Sequence, residues 1–484
     1  MLTRLKIKGF KNLVDVEVRL GPITCIAGPN GVGKSNLFDA IHFLSLLADK
    51  PFVEAATEVR GGAQLRELFT VGGMGRIELE CDVIIPRAGT DDFGQPAEAS
   101  YTYLTYELAL RLEEPDDPTG ISRIRLEHEQ LSYITKSAAT VRLGFKTSPA
   151  WRESIVHVSA RRTTFISTKD GHIRLQVDRM QDETKDKRGG GKPLEFLSER
   201  LPRTVLSSAQ NAEEHRTAVL LRQEMRRWRQ LQLEPSALRQ ADDFQSPQAI
   251  SPSGAHVAAT LYRLATSHSL DVYTEAANRL AELVDGVGSI RVERDEGRRL
   301  FRMMMKDLNG VELPASSLSD GTLRFIALAV MELDPEATGV VCLEEPENGI
   351  HPQRVAAMLR LLMDVAVDPL EPIDEGNPLR QVLLSTHSPL VVVNAAADDV
   401  VFAAPRVHRL GDQVVRGLVF RGIEGTWRAA EDDPGTSIGA VLGYLGGREE
   451  NESPAVARPR RVKDLLQQRQ PNPTVQISLP IVES

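Results

Sequence analysis

Cysteine is scarce in this chain of 484 residues, and its scarcity narrows the classes of protein to which the chain can belong. The three cysteines, Cys25, Cys81 and Cys342, lie far apart, and two of them stand within apolar runs. This spacing favours buried small side chains over a disulfide framework or a zinc site. We therefore expect a protein of the reducing cytoplasm.

Long apolar segments are also missing. No window approaches the roughly 18 apolar residues of a membrane span, and the start "MLTRLKIKGFKNL" lacks the uninterrupted apolar core of a signal peptide. We expect no membrane partner. The formal net charge of -9 argues against a protein that is basic over its whole surface, but it leaves room for a local basic patch that meets nucleic acid.

One stretch, "GPNGVGKSN" from Gly28 to Asn36, matches the pattern G-x-x-x-x-G-K-[ST] in full. The apolar run "PITCIAG" leads into it, and apolar residues at helical spacing follow it, so the loop joins a strand to a helix. A plain glycine turn before a helix is the alternative, and this context disfavours it. In a P-loop of this kind, backbone N–H groups converge on the phosphates of a nucleotide.

The chemistry of such a loop assigns its residues. Lys34 is expected to pair with the terminal phosphates of ATP or GTP, Ser35 to ligate Mg²⁺, and the helix N-terminus to add its partial positive charge. The predicted nucleotide contacts of the loop are Gly28, Asn30, Gly31, Gly33, Lys34, Ser35 and Asn36.

Two acidic residues end an apolar run in "TGVVCLEEPENG". A buried strand would deliver both carboxylates to the edge of a sheet, where Glu344 can hold the magnesium ion and Glu345 can accept a proton from the attacking water. The first acidic residue, Glu344, is a glutamate where an aspartate is usual, so the geometry of the metal site is not fixed by the sequence. An acidic turn after a buried strand is the alternative.

Two further motifs complete the set. "LSDGT" stands just before an apolar helical run, where Ser319, Asp320 and Gly321 are candidates for a second anion site, with an ordinary helix N-cap as the alternative. His387 follows the apolar run "QVLLST" and is predicted to orient the water beside the γ-phosphate, although it could equally be a polar loop residue.

The order and spacing of these four motifs resemble the ATP-binding-cassette ATPase heads of the RecF and structural-maintenance-of-chromosomes group, and most of all the OLD-like AAA-family ATPases of bacteria. The resemblance rests on "LSDGT", "EEPENGIHP" and "STHSP" and covers roughly residues 1–160 and 305–405. It implies that the P-loop is the Walker A motif, Ser319 to Gly321 the cassette signature, Glu344 and Glu345 the Walker B pair, and His387 the switch histidine. Asn348 and His351 would lie in the D-loop.

The same resemblance implies the fold and the assembly. The expected fold is α/β, an ABC-type ATPase head with a two-lobed mixed sheet and a P-loop, interrupted by a helical insertion. We expect an N-terminal lobe over 1–160, a helical insertion or lid over 161–304, a C-terminal lobe over 305–440 and a flexible tail over 441–484. Two chains, or a larger homo-oligomer, would sandwich ATP between the P-loop of one and the signature of the other.

The resemblance also suggests a role. No strand-borne glutamate followed by a D-x-D pair appears after His387, so we expect a stand-alone form without a Toprim nuclease, which gates a separately encoded effector, commonly a nuclease, in anti-phage defence. A DNA-binding repair ATPase of the RecF type is the alternative. If the chain is such a repair ATPase, Arg222, Arg226 and Arg229 could follow DNA phosphates along one helix face. The simpler interpretation is that this helix face is solvated.

Overall fold

The computed structural model describes residues 1–61, 64–73, 75–115, 122–159, 163–178, 192–267, 269–429 and 435–446. Its strands are β1 (Leu2–Phe10), β2 (Leu13–Arg19), β3 (Ile23–Ala27), β4 (Arg76–Ile84), β5 (Ala88–Thr90), β6 (Pro96–Glu98), β7 (Tyr103–Glu113), β8 (Arg123–Tyr133), β9 (Ile166–Lys169), β10 (His172–Leu175), β11 (Leu194–Leu197), β12 (Arg229–Leu231), β13 (Asp242–Asp243), β14 (Val287–Asp295), β15 (Leu300–Asp307), β16 (Glu312–Pro314), β17 (Gly339–Glu344), β18 (Arg380–Thr386), β19 (Val400–Leu410) and β20 (Gln413–Gly422). Its helices are α1 (Ser35–Leu47), α2 (Phe52–Glu58), α3 (Lys136–Leu143), α4 (Pro149–Ile155), α5 (Ala212–Arg226), α6 (Pro235–Leu238), α7 (Val257–Ser267), α8 (Asp271–Ala281), α9 (Asp320–Leu333), α10 (Val355–Val365), α11 (Pro389–Asn394) and α12 (Ile438–Gly446).

The central sheet has the strand order β12-β17-β18-β3-β19-β20, and all its pairs are parallel except the β19–β20 hairpin. Strands β3 and β18 are buried along their whole length, as expected for parallel strands that are covered on both faces. Alternate residues of β3 enter different cores: Ile26 joins the core on one side, whereas Cys25 and Ala27 join the core on the other. The sheet is therefore the layer that separates the two main hydrophobic cores.

The larger sheet is antiparallel and has the order β11-β10-β9-β8-β7-β4-β1-β2. In β2, Val14, Val16 and Val18 are buried while the intervening residues are exposed, the alternation that a sheet shows when one face packs and the other meets water. This buried face packs with α1, α2 and α5 against one side of the central sheet. Helices α7 to α11 pack on the other side.

The segment 161–304, expected to be a helical lid, is not purely helical. Its first strands, β9 to β11, extend the antiparallel sheet, and β12 pairs with β17 at the edge of the central sheet. Helix α5 packs into the core of the N-terminal sheet. The prediction of a helix up to Gln232 rested on local composition alone. The helix ends at Arg226, because the chain beyond it forms β12, which pairs with β17 and completes the edge of the central sheet.

The arginine stripe predicted on this helix does not form. Arg222 is only 3% exposed, and its guanidinium binds the carboxylates of Asp49 (2.7 Å) and Asp92 (2.5 Å). Arg226 joins the same two carboxylates, and Arg229 lies beyond the helix in β12. The alternative of a solvated face is equally wrong for Arg222, because the residue is an internal ion-pair partner.

Three expectations fall on residues outside the described part of the chain. These are the linker at 184–192 apart from its last residue, most of the tail (447 onward), and the basic stretch at 457–463. In the described ranges, none of the helices has both the length and the apolar character that a membrane crossing demands.

Candidate nucleotide site

Three neighbouring strands of the central sheet end beside one another and carry the predicted motifs. Strand β18 lies between β17 and β3, with Ser385 paired to Glu344 and Thr386 paired to Ala27. The P-loop follows β3, the acidic pair ends β17, and His387 follows β18. Because the three strands are parallel, their carboxyl ends share one edge of the sheet, the usual place for a ligand in an open α/β sheet.

The P-loop itself is shaped by close packing. A Cβ at Gly28 would lie 2.6 Å from the carbonyl oxygen of Ala403 in β19, so only glycine lets the loop approach that strand. Gly33 has φ +106°, a conformation that favours glycine. Asn30 and Gly31 are exposed at the tip of the loop, and Ser35 is the first residue of α1.

Lys34 lies folded back onto its own loop. Its Nζ donates to the carbonyl oxygens of Gly28 (2.8 Å) and Pro29 (2.9 Å), and the residue is only 7% exposed. Burial lowers the pKa of Lys34, while the carboxylates of the acidic motif act in the opposite direction. Within the described ranges no carboxylate directly contacts this buried cation, which is a suitable arrangement for an anionic ligand.

Asn12, in the turn between β1 and β2, supports the P-loop from outside the motif. Its Nδ2 donates to the carbonyl oxygen of Val32 (2.9 Å), and its Oδ1 accepts a hydrogen bond from Asn36 Nδ2 (2.7 Å). A side chain at Gly33 would overlap the Asn12 amide. Sequence reasoning missed Asn12, because a lone asparagine in a hairpin turn carries no signal of a contact 20 residues away.

The acidic residue Glu345 lies in the left-handed region with φ +47°, which is uncommon for a residue with a side chain. One of its carboxylate oxygens is 2.7 Å from Nδ1 of His387, and the other accepts a hydrogen bond from Asn348 Nδ2 at 2.7 Å. Burial alone would raise the pKa of Glu345, but the hydrogen bonds from Asn348 and His387 outweigh it and hold the pKa below its usual range. The carboxylate is therefore kept ionised and fixed in direction.

Glu344 points to a different set of partners. Its Oε1 accepts hydrogen bonds from Arg60 Nη2 (2.8 Å) and Gln230 Nε2 (2.7 Å). Arg60 also contacts Asp39 on the P-loop helix at 3.1 Å. The predicted metal ligand therefore already faces a cation, and neither Arg60 nor Gln230 could be identified from the motifs because both come from distant segments.

A third carboxylate, Glu347, lies behind the acidic pair. It is 9% exposed and accepts a hydrogen bond from Thr386 Oγ1, and its Oε2 finds no hydrogen-bond partner in the part of the chain that the structure describes. Burial raises the pKa of Glu347. No metal-binding group of three or more His, Cys, Asp or Glu side chains occurs among the described residues.

The signature turn lies at the start of α9. Ser319 is the N-cap, and its hydroxyl accepts a hydrogen bond from Thr322 N at 3.2 Å. Ser319 and Asp320 are exposed, whereas Gly321 packs near the D-loop, where an added Cβ would lie 3.3 Å from the carbonyl oxygen of Gly349. The turn is thus both an N-cap, the simpler alternative, and an open surface.

The structure therefore brings the P-loop, Glu344, Glu345 and His387 to one sheet edge, and the signature turn lies at the start of α9. The D-loop lies beside both, because Asn348 contacts Glu345 and Gly349 approaches Gly321. His351 is exposed and caps the short helical turn that follows it.

Comparison with known proteins agrees with this arrangement. The family model described as "AAA domain, putative AbiEii toxin, Type IV TA system" matches residues 23–394. The OLD nuclease of Thermus scotoductus is 51% identical over 44 residues, which are 9% of this chain and 8% of that protein. The DNA replication and repair protein RecF of Porphyromonas gingivalis is 36% identical over 66 residues, 13% of this chain and 18% of that protein.

A solved structure, the Smc head bound to the C-winged helix domain of ScpA, aligns with 87% of this chain and 98% of its own at 13% identity and a TM-score of 0.45. The chain matches less than a fifth of the length of either sequence relative. The family match and the partial sequence matches confirm the predicted resemblance to OLD-like and RecF-like ATPases, and the sheet topology confirms the predicted α/β fold.

Proposed function

Because the chain belongs to the AAA-domain family whose model covers residues 23–394, we propose that it binds and hydrolyses ATP and that a dimer which sandwiches the nucleotide acts as a gate. The observation that carries this proposal is the meeting of Lys34, Glu344, Glu345 and His387 at the carboxyl ends of three adjacent parallel strands. The exposed signature turn is the second observation, because a turn that meets a neighbouring chain must be accessible.

The P-loop residues bind the substrate. The amides of Gly31, Gly33 and the α1 N-terminus point at the phosphates, and Lys34 exchanges its two loop carbonyls for phosphate oxygens. Gly28 lets the loop approach β19, Asn36 is held by Asn12, and the exposed Asn30 is a further proposed contact of the nucleotide. This exchange is favourable because a charge-assisted hydrogen bond to an anion is stronger than one to a neutral carbonyl.

Magnesium fits the residues at this edge. Ser35 and Glu344 offer the hydroxyl and carboxylate oxygens that Mg²⁺ prefers, and Glu344 already attracts the cationic Arg60. When bound, the ion would neutralise the charge of the β- and γ-phosphates. Glu344 and Ser35 would hold the ion, and Glu344 would then exchange its contact with Arg60 for the metal.

Hydrolysis follows from the geometry of Glu345 and His387. Glu345 accepts a proton from a water whose oxygen attacks the γ-phosphorus, while the bond from that phosphorus to the β–γ bridging oxygen breaks and ADP leaves. His387 holds the carboxylate in place through the 2.7 Å contact and orients the water beside it. Asn348 fixes the other oxygen, so the carboxylate cannot rotate away.

The second anion site acts on a partner chain. Ser319, Asp320 and Gly321 approach the γ-phosphate held by the other protomer, so ATP joins the two subunits and hydrolysis weakens the interface. The conformational gate controls a separately encoded effector. The family description, which names a putative toxin of a type IV toxin–antitoxin system, and the OLD nuclease similarity support a role in anti-phage defence.

Light scattering tests the dimer. The Glu345→Gln protein, which retains ATP, should double its mass when ATP and Mg²⁺ are added, whereas the Lys34→Ala/Glu345→Gln control should remain a monomer. A Glu345→Gln protein that stays monomeric at saturating ATP contradicts the sandwich. Phage challenge of cells that carry the native locus, with Lys34→Ala as the inactive control, tests the defence role.

The RecF similarity favours a second candidate function, a DNA-binding repair ATPase. The buried Arg222 removes the arginine stripe from this candidate, so its support rests on the relative alone. The test is the ATPase rate with and without duplex DNA ends. Strong stimulation by DNA would favour repair over an effector gate.

A further inference from the structure

The signature turn carries a charge that opposes the contact we propose for it. Asp320 is the first residue of α9, and its side chain is 53% exposed. The N-terminus of a helix offers roughly half a positive elementary charge, so one carboxylate more than cancels its attraction for a phosphate. The turn by itself would repel the γ-phosphate of a partner's ATP.

Arg239 changes this balance. It lies directly after α6, and its Nη2 donates to the carbonyl oxygen of Leu318 at 3.1 Å and to the carboxylate of Asp320. The Arg239 side chain is 33% exposed, so it lies at the surface beside the turn. With Arg239 paired to Asp320, the helix N-terminus is again the dominant charge of the turn.

The segment that carries Arg239 is firmly placed. Leu238 is buried, and it packs so closely on Gly254 that an added Cβ there would lie 2.9 Å from Leu238 Cδ2. Arg324 on α9 donates to the carbonyl oxygen of Leu233 at 3.4 Å, which ties the start of the segment to the same helix. Arg239 is therefore held beside the signature turn and is not a side chain that reaches it by chance.

We propose that Arg239 is a positioning residue of the second anion site, which neutralises Asp320 and lets the signature turn accept the γ-phosphate of the partner's ATP. This inference rests on the proposed ATP-sandwiched dimer and names the residue that makes its acidic signature compatible with an anion. The arginine acts through Asp320 and Leu318, and its effect is confined to the interface between two chains.

The test is a double-mutant cycle in the Glu345→Gln protein at saturating ATP and Mg²⁺, with the dimer dissociation constant measured by analytical ultracentrifugation. Arg239→Ala should weaken the dimer about tenfold, because it leaves Asp320 facing an anion. Asp320→Asn should tighten it about threefold, because the charge that opposes the phosphate is removed while the helix N-terminus remains. The double variant should lie close to the parent, and Arg239→Lys should restore most of the affinity.

Arg174→Ala is the matched control. Arg174 forms a surface pair with Glu195 at 3.1 Å, with side chains 40% and 44% exposed, at the edge of the antiparallel sheet. The Arg174→Ala substitution should leave the dimer dissociation constant unchanged. ATP affinity of each monomer is measured in parallel with a fluorescent analogue, because an effect through the partner's nucleotide leaves binding within one chain intact.

Three outcomes overturn the inference. These are an Arg239→Ala protein that dimerises like the parent, a double variant that is as weak as Arg239→Ala, and a loss of ATP affinity in the Arg239→Ala monomer. Failure of the proposed function looks different, because the parent Glu345→Gln protein would then not dimerise with ATP at all.

Discussion

The P-loop and the signature turn both lie at the start of a helix, yet the surrounding structure supports them in different ways. The P-loop packs against β19 through Gly28, is braced by Asn12 and contains the buried Lys34. Ser319 and Asp320 of the signature turn are exposed, and the turn is supported by its own N-cap and by Arg239, which bonds Asp320 and the Leu318 carbonyl. A preformed, buried cradle can hold an anion alone, whereas an exposed turn of this kind needs a second surface to complete it.

The strongest test of this comparison removes the central group of each site. Lys34→Ala should weaken ATP binding by about 100-fold, because a charge-assisted contact with the phosphates is lost. Ser319→Ala should leave ATP binding to the monomer almost unchanged but should reduce dimer formation in the Glu345→Gln protein. Isothermal titration calorimetry and light scattering measure the two effects, and equal losses of ATP affinity would remove the distinction between the sites.

A smaller effect is expected at the support of the P-loop. Asn12→Ala should weaken ATP binding about tenfold, because two hydrogen bonds that fix the loop, each contributing about 1 kcal/mol, disappear. The control is Asn211→Ala, which removes the N-cap of α5 away from the P-loop. If both variants bind ATP like the parent, the loop is rigid without Asn12, and the difference from the signature turn is smaller than the contacts indicate.

The contact between Arg60 and Glu344 gives a third test. Arg60 is 54% exposed and Glu344 is 29% exposed, so the pair is weak and easily broken. Arg60→Ala should lower the Mg²⁺ concentration at half-maximal ATPase activity by about twofold to fivefold, because one competing cation leaves the proposed metal ligand. A higher Mg²⁺ requirement would mean that Arg60 assists the site and does not compete for it.

The smallest effect is expected far from the phosphates, where the antiparallel sheet supports the distal end of α1. Buried Glu129 accepts hydrogen bonds from Val205 N (2.6 Å) and Leu206 N (2.8 Å), and the adjacent Thr204 hydroxyl donates to the carbonyl oxygen of Leu47. Burial raises the pKa of Glu129 from 4.5 to about 7. The folded protein therefore holds a proton that the unfolded chain releases, so stability falls as the pH rises from about 4.5 through 7.

Glu129→Gln should remove this pH dependence, because the amide does not titrate. Between pH 5 and pH 8, the melting temperature of the parent should fall by a few degrees relative to that of Glu129→Gln. Differential scanning fluorimetry measures it, and Glu199→Gln, at a side chain that is 67% exposed, is the control for a surface carboxylate. A difference that does not change with pH would show that Glu129 is ionised throughout.

The P-loop, the acidic pair and the signature could be recognised without coordinates because each is a short run whose residues serve one another locally. Strand, glycine loop and helix follow in order in the sequence, and Ser319 caps the helix that begins beside it. The same local reasoning failed beyond Arg226, where helical composition continues but the chain joins the central sheet. It also failed for Arg222, whose acidic partners Asp49 and Asp92 come from distant segments.

The sequence alone was sufficient to define the nucleotide motifs, the buried strands before them and the family resemblance, because backbone geometry, strand burial and phosphate chemistry leave signals over a few neighbouring residues. Only the tertiary structure decided that Asn12 braces the P-loop, that Arg60 and Gln230 hold Glu344, and that Arg239 faces Asp320. These contacts join residues between 20 and 284 positions apart, and such pairings follow from the way in which sheets and helices pack, which no local pattern encodes.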